Sequence, residues 1–364
     1  MKKLSSKRRL FQLKKSRDAI RRRQKLNGLR KSPRTYASKS QRERGTLVAP
    51  SHFVIYSKSG GAISREIDEF FRFLKLLRET TASDLLIDMS GVKRMVVDAA
   101  LLFKAELSRL IEVGKTRIKT TPPSRDRTLQ VLKQTGMDRL LNLNIEGSPS
   151  REDVVHWRIA EGPSSTVDSS ALNLIMTDIE EVSGLESHPV YQGIIESMAN
   201  CVEHAYKPHH EVSRIMPTSP GWWVFQQVRE GTLHVVVCDL GIGIRRSLPL
   251  TLAGEETMYK KLMHLYRRTK GEDNRALLAA MEYGRSSTGQ KQRGKGMRNA
   301  HKVVDDLGEG TFFALSNAGC YTYHRNRRHD IGRHTTVKLR HSIHGTILGW
   351  RLPLNSSNSE ASHD

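Results

Sequence analysis

The chain has 364 residues, with 60 Lys or Arg against 38 Asp or Glu, and a formal net charge of +22. This length predicts two domains with enough apolar residues for real cores. No apolar run approaches the ~20 residues that a membrane span needs. The three cysteines match neither a metal-binding spacing nor a disulfide framework. The basic N-terminus lacks the apolar stretch of a secretory signal, so we expect a soluble, cytoplasmic protein with no membrane partner.

The charge is concentrated at the start of the chain. Residues 1–46 hold 18 Lys or Arg and two acidic residues, a net charge of +16, which leaves +6 for the rest. Their apolar residues are too few to build a core, so residues 1–48 are predicted to be a disordered basic arm. The arm is typical of binding to a nucleic-acid backbone, with an acidic protein surface or a plain solvated extension as alternatives. Its arginine runs contain Arg8, Arg9, Arg21, Arg22 and Arg23.

Residues 49–145 are expected to form a small α/β domain, because strand-like and helix-like patterns alternate along them. Strands are predicted at 53–56, 85–88 and 116–120, and helices at 63–77, 99–110 and 129–141.

Three stretches of this domain resemble the STAS family (sulfate transporter and anti-sigma-factor antagonist). They are Ile-Asp-Met-Ser-Gly-Val at 87–92, Val-Asp-Ala-Ala-Leu at 97–101 and Leu-Lys-Gln-Thr-Gly-Met-Asp-Arg-Leu at 132–140. In switchable family members, a phosphorylated serine follows the aspartate. Ala99 and Ala100 stand there in this chain and have no hydroxyl. The resemblance therefore implies a domain that docks a protein partner or dimerises.

Residues 146–170 are interpreted as a linker, because turn-forming residues are frequent there. Within and after it, the pattern predicts a strand at 154–159 and a helix at 171–182. The next helix is expected to begin at Pro189, a residue favoured in a first turn. The second domain is placed at 171–355, and residues 356–364 are predicted to be a disordered tail.

One helix of the second domain carries the strongest candidate site. Glu196, Asn200 and His204 are spaced four residues apart, which places a carboxylate, an amide and an imidazole in one row. A carboxylate can orient a water or accept a proton, and an amide oxygen suits Mg²⁺. The same row also fits the surface of an ordinary amphipathic helix.

Two strands, 222–228 and 233–238, follow this helix, and the second leads directly into Asp239-Leu-Gly241-Ile-Gly243. Glycines let a chain pass close to a flat ligand, and a carboxylate at a strand end can accept a hydrogen bond from an exocyclic amine. Such a motif alone also fits a plain turn.

A second glycine motif, Arg293-Gly294-Lys295-Gly296-Met297, precedes a helix predicted at 299–307. Backbone N–H groups at a helix N-terminus, together with nearby cations, form an anion site; a flexible basic loop is the alternative. Three further strands are expected at 311–316, 335–339 and 345–353.

In this order, the motifs resemble the Bergerat-fold (GHKL) ATPases, and their wording is most similar to the bacterial anti-sigma-factor serine kinases. The resemblance covers about 170–355 and implies an α/β sandwich that binds ATP and Mg²⁺. Glu196 would be the general base, Asn200 would hold Mg²⁺, and Asp239 would recognise the adenine amine. The remaining roles follow in the same way. Gly241 and Gly243 would lie beside the base, Gly294, Lys295, Gly296 and Met297 around the phosphates, Thr346 near adenine, and Arg285, Lys291 and Arg293 in a lid at about 245–293 as candidate phosphate contacts.

Together the patterns predict a bacterial α/β protein: a basic arm, a STAS-like domain and a GHKL ATP-binding domain. The expected activity is an ATP-dependent conformational switch with slow hydrolysis, regulatory through protein or nucleic-acid partners. A protein serine/threonine kinase and a non-catalytic nucleotide sensor are the alternatives, and a homo-oligomer is compatible with the sequence.

Overall fold

The described fold is a mixed α/β structure built on one large and two small sheets. The computed structural model describes residues 44–55, 64–114, 116–163, 187–207, 221–252, 256–286, 296–327 and 332–354. All of them belong to one compact unit that spans Glu43–Asp364. The arginine runs of the predicted arm lie outside the described residues.

The N-terminal part, residues 44–155, contains the two small sheets, both parallel. The three-stranded sheet has the order β1-β3-β5, and β2 pairs with β4. The strands are β1 (Arg44–Val48), β2 (His52–Phe53), β3 (Asp84–Asp88), β4 (Arg94–Met95) and β5 (Arg117–Thr121). The helices are α1 (Arg65–Glu79), α2 (Val97–Gly114), α3 (Asp126–Gln134), α4 (Met137–Leu140) and α5 (Glu152–Val155).

Helix α1 shows how local sequence sets an element. Ser64 caps its N-terminus by accepting a hydrogen bond from the Ile67 amide at 3.4 Å. Acidic residues in the first turn and Arg78 in the last turn complement the helix dipole. Its apolar residues recur at helical spacing and are buried, as predicted: Ile67, Phe70, Phe71, Phe73, Leu74 and Leu77.

Two predictions for this part of the chain need correction. Strand β1 lies inside the predicted arm, where it pairs with β3 along its full length. The pairing turns Gly45 and Leu47 inward, so the folded structure begins before residue 49. The strand predicted at 154–159 is instead the short helix α5 followed by a later strand. The Trp157 indole N–H donates to the Asp153 carbonyl at 2.9 Å, which stabilises that turn.

The C-terminal part, residues 158–354, is organised on a seven-stranded antiparallel sheet with the order β11-β10-β9-β12-β8-β7-β6. Its strands are β6 (Arg158–Pro163), β7 (Gly221–Arg229), β8 (Thr232–Asp239), β9 (Gly310–Ser316), β10 (Gly319–Arg325), β11 (Arg333–Lys338) and β12 (Thr346–Pro353). The predicted strands after residue 220 are present, and β10 is one that the sequence analysis missed. Strand β6 lies in the predicted linker, so residues 158–163 belong to the sheet.

The described residues of this part form five helices, with a π-helical turn, Cys201–Ala205, directly after the first. They are α6 (Ser187–Asn200), α7 (Ile244–Thr251), α8 (Glu256–Leu265), α9 (Glu272–Ser286) and α10 (Gly296–Leu307). The expected lid is therefore largely helical, and α9 packs into the core through Ala276, Leu277 and Ala279. The helix predicted at 171–182 lies outside the described residues.

Both faces of the large sheet are buried. Val224, Val235 and Val237 point to one face and share a core with the helices of the C-terminal part. Phe225 and Val236 point to the other face and share a core with the N-terminal part. The described residues of the N-terminal and C-terminal parts therefore share an apolar core on this face of the sheet.

The start of α2 takes part in this contact. Asp98 is fully buried, with Oδ1 2.9 Å from Nε2 of His234 on β8. Ala99 and Ala100, which follow it, are also buried. Among the described residues, no helix is both long enough and apolar enough to cross a lipid bilayer.

Candidate functional site

A cavity of about 590 Å³ lies between the helices and one end of the large sheet. This volume falls in the range of small-molecule sites. Six residues singled out from the sequence line it: Glu196, Asn200, His204, Asp239, Gly243 and Thr346, with Met297 at the start of α10 as a seventh. The structure thus brings side chains from four separated sequence motifs around one space.

The row expected on one helix is modified by the π-helical turn. Glu196 and Asn200 lie in regular helix, are half-buried and line the cavity. His204 lies in the π turn, where the wider repeat changes the i, i+4 alignment, yet it still lines the cavity. Burial, and then the charge of Lys207, lower the pKa of His204, which favours a neutral imidazole.

Asp239 ends β8 and supplies a buried carboxylate to the cavity. Its Oδ1 accepts a hydrogen bond from the Gly241 amide at 2.8 Å, and its Oδ2 lies 3.7 Å from the Cys201 thiol. Burial raises the pKa of this carboxyl to about 6, although hydrogen bonds from Gly241, Cys201 and Thr346 oppose the shift. At pH 7 the group is mainly ionised and can accept from a ligand donor.

The loop after Asp239 is held closely against the end of the π turn. The Ile242 amide donates to the Ala205 carbonyl at 2.7 Å, and the Leu240 amide donates to the Tyr206 hydroxyl at 3.1 Å. A Cβ on Gly241 would lie 2.1 Å from the Ala205 oxygen. Gly241 therefore packs behind the loop and is absent from the cavity lining, whereas the sequence analysis expected it beside a ligand.

Gly243 has a different reason to be glycine. Its φ of +76° lies in the left-handed region, and a Cβ there would lie 2.2 Å from Nδ2 of Asn317. Asn317 uses that amide to donate to the Ile242 carbonyl at 3.3 Å. The loop is thus fixed from both sides, by the π turn and by the β9–β10 turn.

Thr346, the first residue of β12, stands opposite Asp239 in the ladder. Its Oγ1 lies 3.3 Å from Oγ of Ser316, which also accepts a hydrogen bond from the Ile244 amide at 2.8 Å. Ser316 and Asn317 are supporting residues that sequence reasoning missed. Their only local signals in the sequence were that Ser316 ends a strand and that asparagine at 317 is typical of a turn.

Other lining residues come from the segment expected to be a lid. Helix α7 contributes Ser247, Leu248 and Thr251, and α9 contributes Ala280 and Tyr283. One side of the cavity is therefore formed by the packed helices α7 and α9.

The expected phosphate loop is described only at its end. Gly296 begins α10, whereas Lys291, Arg293, Gly294 and Lys295 lie outside the described residues. Arg285 is in α9, and its side chain is not described. Among the described residues, no group of three or more His, Cys, Asp or Glu side chains could hold a metal ion. An Mg²⁺ site at Asn200 would therefore depend on ligand oxygens or water.

No protein-family model matches the chain, and no curated protein matches it.

Proposed function

We propose that the cavity binds Mg·ATP and that the protein is an ATP-dependent conformational switch of the GHKL type. The observation that carries the proposal is the buried carboxylate of Asp239, which shares one cavity with Glu196, Asn200 and Thr346. An ionised carboxylate in an enclosed site suits the exocyclic amine of adenine. The resemblance to Bergerat-fold ATPases assigns the same residues to the same ligand.

The residues fit this ligand by their chemistry. Asp239 and Thr346 would hold the base, because they are paired between β8 and β12 and both line the cavity. Asn200 offers an amide oxygen to Mg²⁺, which neutralises phosphate charge when bound. Glu196, one helical turn away from Asn200, would orient a water for slow hydrolysis.

The test is titration calorimetry with Mg·ATP, followed by phosphate release with γ-labelled ATP in the presence and absence of cell lysate. Glu196→Gln should keep the affinity for ATP while turnover falls at least tenfold, because a base acts mainly in the transition state. The half-buried Glu69, which pairs with Arg65 on α1, provides the control Glu69→Gln. Wild-type turnover in Glu196→Gln would remove the catalytic assignment. Label transferred to a protein would replace hydrolysis by phosphotransfer, and an absence of ATP binding would end the proposal.

A further inference from the structure

A buried ion cluster lies in the N-terminal part, far from the cavity in sequence. Glu106 of α2 is fully buried and accepts from Nε of Arg109 at 2.8 Å and from Nε of Arg78 at 2.9 Å. Nη2 of Arg78 also contacts the same carboxylate. The Arg78 side chain is only 5% exposed. A buried ion pair of this kind fixes the guanidinium in one orientation.

Arg78 uses its remaining donors on the C-terminal part. Nη1 donates to the Ser342 carbonyl at 3.2 Å, and Nη2 donates to the Ile343 carbonyl at 3.1 Å. Both acceptors belong to the β11–β12 connection. A guanidinium presents five donors in a rigid plane, so it can bind a carboxylate and two carbonyls together, whereas an ammonium has a compact point charge.

Hydrogen bonds link the β11–β12 connection to Asn317 in the β9–β10 turn, and Asn317 to the loop 239–243. The Ile343 amide donates to the Asn317 carbonyl at 2.9 Å, and the Asn317 amide donates to the Gly345 carbonyl at 3.1 Å. The side chain of Asn317 then donates to the Ile242 carbonyl at 3.3 Å. Gly345 immediately precedes Thr346, which lines the cavity.

We propose that Arg78, oriented by Glu106, is a positioning residue for the nucleotide site and couples the N-terminal part to it. Through Ser342, Ile343 and Asn317, it sets the place of the loop 239–243 and of the start of β12. The affinity for nucleotide then depends on the contact of the N-terminal part with the β11–β12 connection. By reciprocity, nucleotide binding strengthens that contact. The effect on nucleotide affinity rests on the proposed function, whereas the effect of Arg78 on the position of the loop does not.

A second ion pair between the same two parts provides a matched control. Nζ of Lys104, on α2, lies 3.2 Å from Oε2 of Glu161, and Lys104 is also buried. Glu161 belongs to β6, the edge strand, which β7 and β8 separate from β12. Breaking this pair weakens the contact between the parts without touching the loop.

The experiment compares Arg78→Lys, Arg78→Met and Lys104→Met in the full-length protein. Arg78→Lys keeps a positive charge beside Glu106 but removes the planar guanidinium. It therefore distinguishes the loss of the hydrogen bonds to Ser342 and Ile343 from the cost of leaving Glu106 without a cation. Hydrogen exchange without nucleotide is followed at the amides of Leu240, Ile242 and Ile343, alongside the melting temperature and Mg·ATP affinity. We expect at least tenfold faster exchange and a tenfold or greater rise in Kd for Arg78→Lys. In Lys104→Met, both should stay within twofold of wild type.

Two outcomes would overturn the inference. One is unchanged exchange and unchanged Kd in Arg78→Lys; the other is an equal effect of Lys104→Met. If the wild type binds no nucleotide, the proposed function fails, but exchange in the nucleotide-free protein still decides whether Arg78 positions the loop. If neither Arg78 variant folds, wild-type exchange at Ser342–Gly345 decides: slower exchange with saturating Mg·ATP supports the coupling, and unchanged exchange contradicts it.

Discussion

The carboxylate of Asp239 lies beside the thiol of Cys201, with 3.7 Å between Oδ2 and Sγ. Both side chains are buried at the junction of β8 and the π turn. Burial, and then the charge of Asp239, raise the pKa of Cys201 well above its ordinary value, so the thiol stays protonated. It can therefore donate to the carboxylate, and Asp239 is the group of this pair that titrates near neutral pH.

The raised pKa of Asp239, about 6, predicts a pH-dependent nucleotide affinity. As the pH falls from 7 to 5, the carboxylate takes a proton and loses its capacity to accept from the adenine amine. We expect the Kd for Mg·ATP to rise by up to tenfold per pH unit below 6, since binding favours the ionised form. Calorimetry across this range measures the effect.

Asp239→Asn should bind Mg·ATP more weakly at pH 7 and lose the pH dependence between 5 and 7. The control is Asp88→Asn, which changes a carboxylate on β3 that accepts from the Ser90 amide. Inosine triphosphate provides a second check, because its 6-oxo group accepts rather than donates. Its affinity relative to ATP should improve at low pH; a parallel decline of both would contradict the role of Asp239.

Gly241→Ala should disturb the site by displacing the loop. The added Cβ would meet the Ala205 backbone oxygen at 2.1 Å, and a backbone atom cannot move aside as a flexible side chain can. We expect a loss of about 1–3 kcal/mol in the free energy of unfolding, typical of overpacking. Nucleotide affinity should fall at least tenfold. Chemical denaturation and calorimetry measure the two effects.

Gly91→Ala is the matched control, because a Cβ at Gly91 meets nothing within 4 Å. It should change the free energy of unfolding by less than about 0.5 kcal/mol, as expected for an exposed site. Equal behaviour of the two alanine variants would show that the loop tolerates a side chain.

Part of the site could be predicted from the sequence, because helical spacing and the end of a strand fix where a side chain lies on its own element. Local spacing places Glu196 and Asn200 on one face of a helix, whereas their meeting with Asp239 was expected from the resemblance to Bergerat-fold ATPases. The π turn could not be read in this way. It depends on the contact of Ala205 with the loop at Ile242, which lies 37 residues further along the chain.

The contact between the two parts was also hidden from sequence. Glu106 and Arg109 are spaced like an ordinary exposed i, i+3 pair, and nothing local shows that both are buried. Strand β10 was missed because its polar residues, such as Thr322 and His324, interrupt the apolar pattern. In both cases the structure depends on burial by segments that are distant in the sequence.

His344 predicts a pH effect on stability of opposite sign to that of Asp239. Burial, and then the charge of Arg78, lower the pKa of His344 to about 4, below the ordinary 6.5. Its stabilising contribution is therefore full above pH 6.5 and is lost as the pH falls towards 4. For Asp239, whose folded pKa is raised, the contribution is full below the unfolded pKa and is lost as the pH rises through about 6.

The variant His344→Asn isolates the histidine effect, since Asp239 remains in both proteins. Asparagine also tolerates the positive φ of 48° at this position. When the pH falls from 7 to 4, the unfolding free energy of the variant should rise by roughly 2–3 kcal/mol relative to that of wild type, because the pKa of His344 in the folded protein is about 4 rather than 6.5. Urea denaturation at several pH values measures the difference. A constant difference would show that His344 titrates normally.

The last prediction concerns residues 1–42 of the basic arm, which lie outside the described residues. Strand β1 begins at Arg44 and the compact unit begins at Glu43, so a truncation that removes residues 1–42 keeps the whole unit. Residues 1–42 contain 17 Lys or Arg and one acidic residue, so their removal takes away a net charge of 16. We expect the melting temperature and the affinity for Mg·ATP to be unchanged, while affinity for DNA and RNA falls by orders of magnitude.

Salt dependence distinguishes an electrostatic arm from a sequence-specific one. Each neutralised phosphate contributes about −0.9 to the slope of log K against log salt on duplex DNA. The full-length protein should show a slope of several units, and the truncated protein a much shallower one. Replacing Arg8, Arg9, Arg21, Arg22 and Arg23 by Gln in the intact chain should give an intermediate slope, because length is kept and charge is reduced. Equal nucleic-acid affinity in the full-length and truncated proteins would exclude this role and favour an acidic protein surface as the target of the arm.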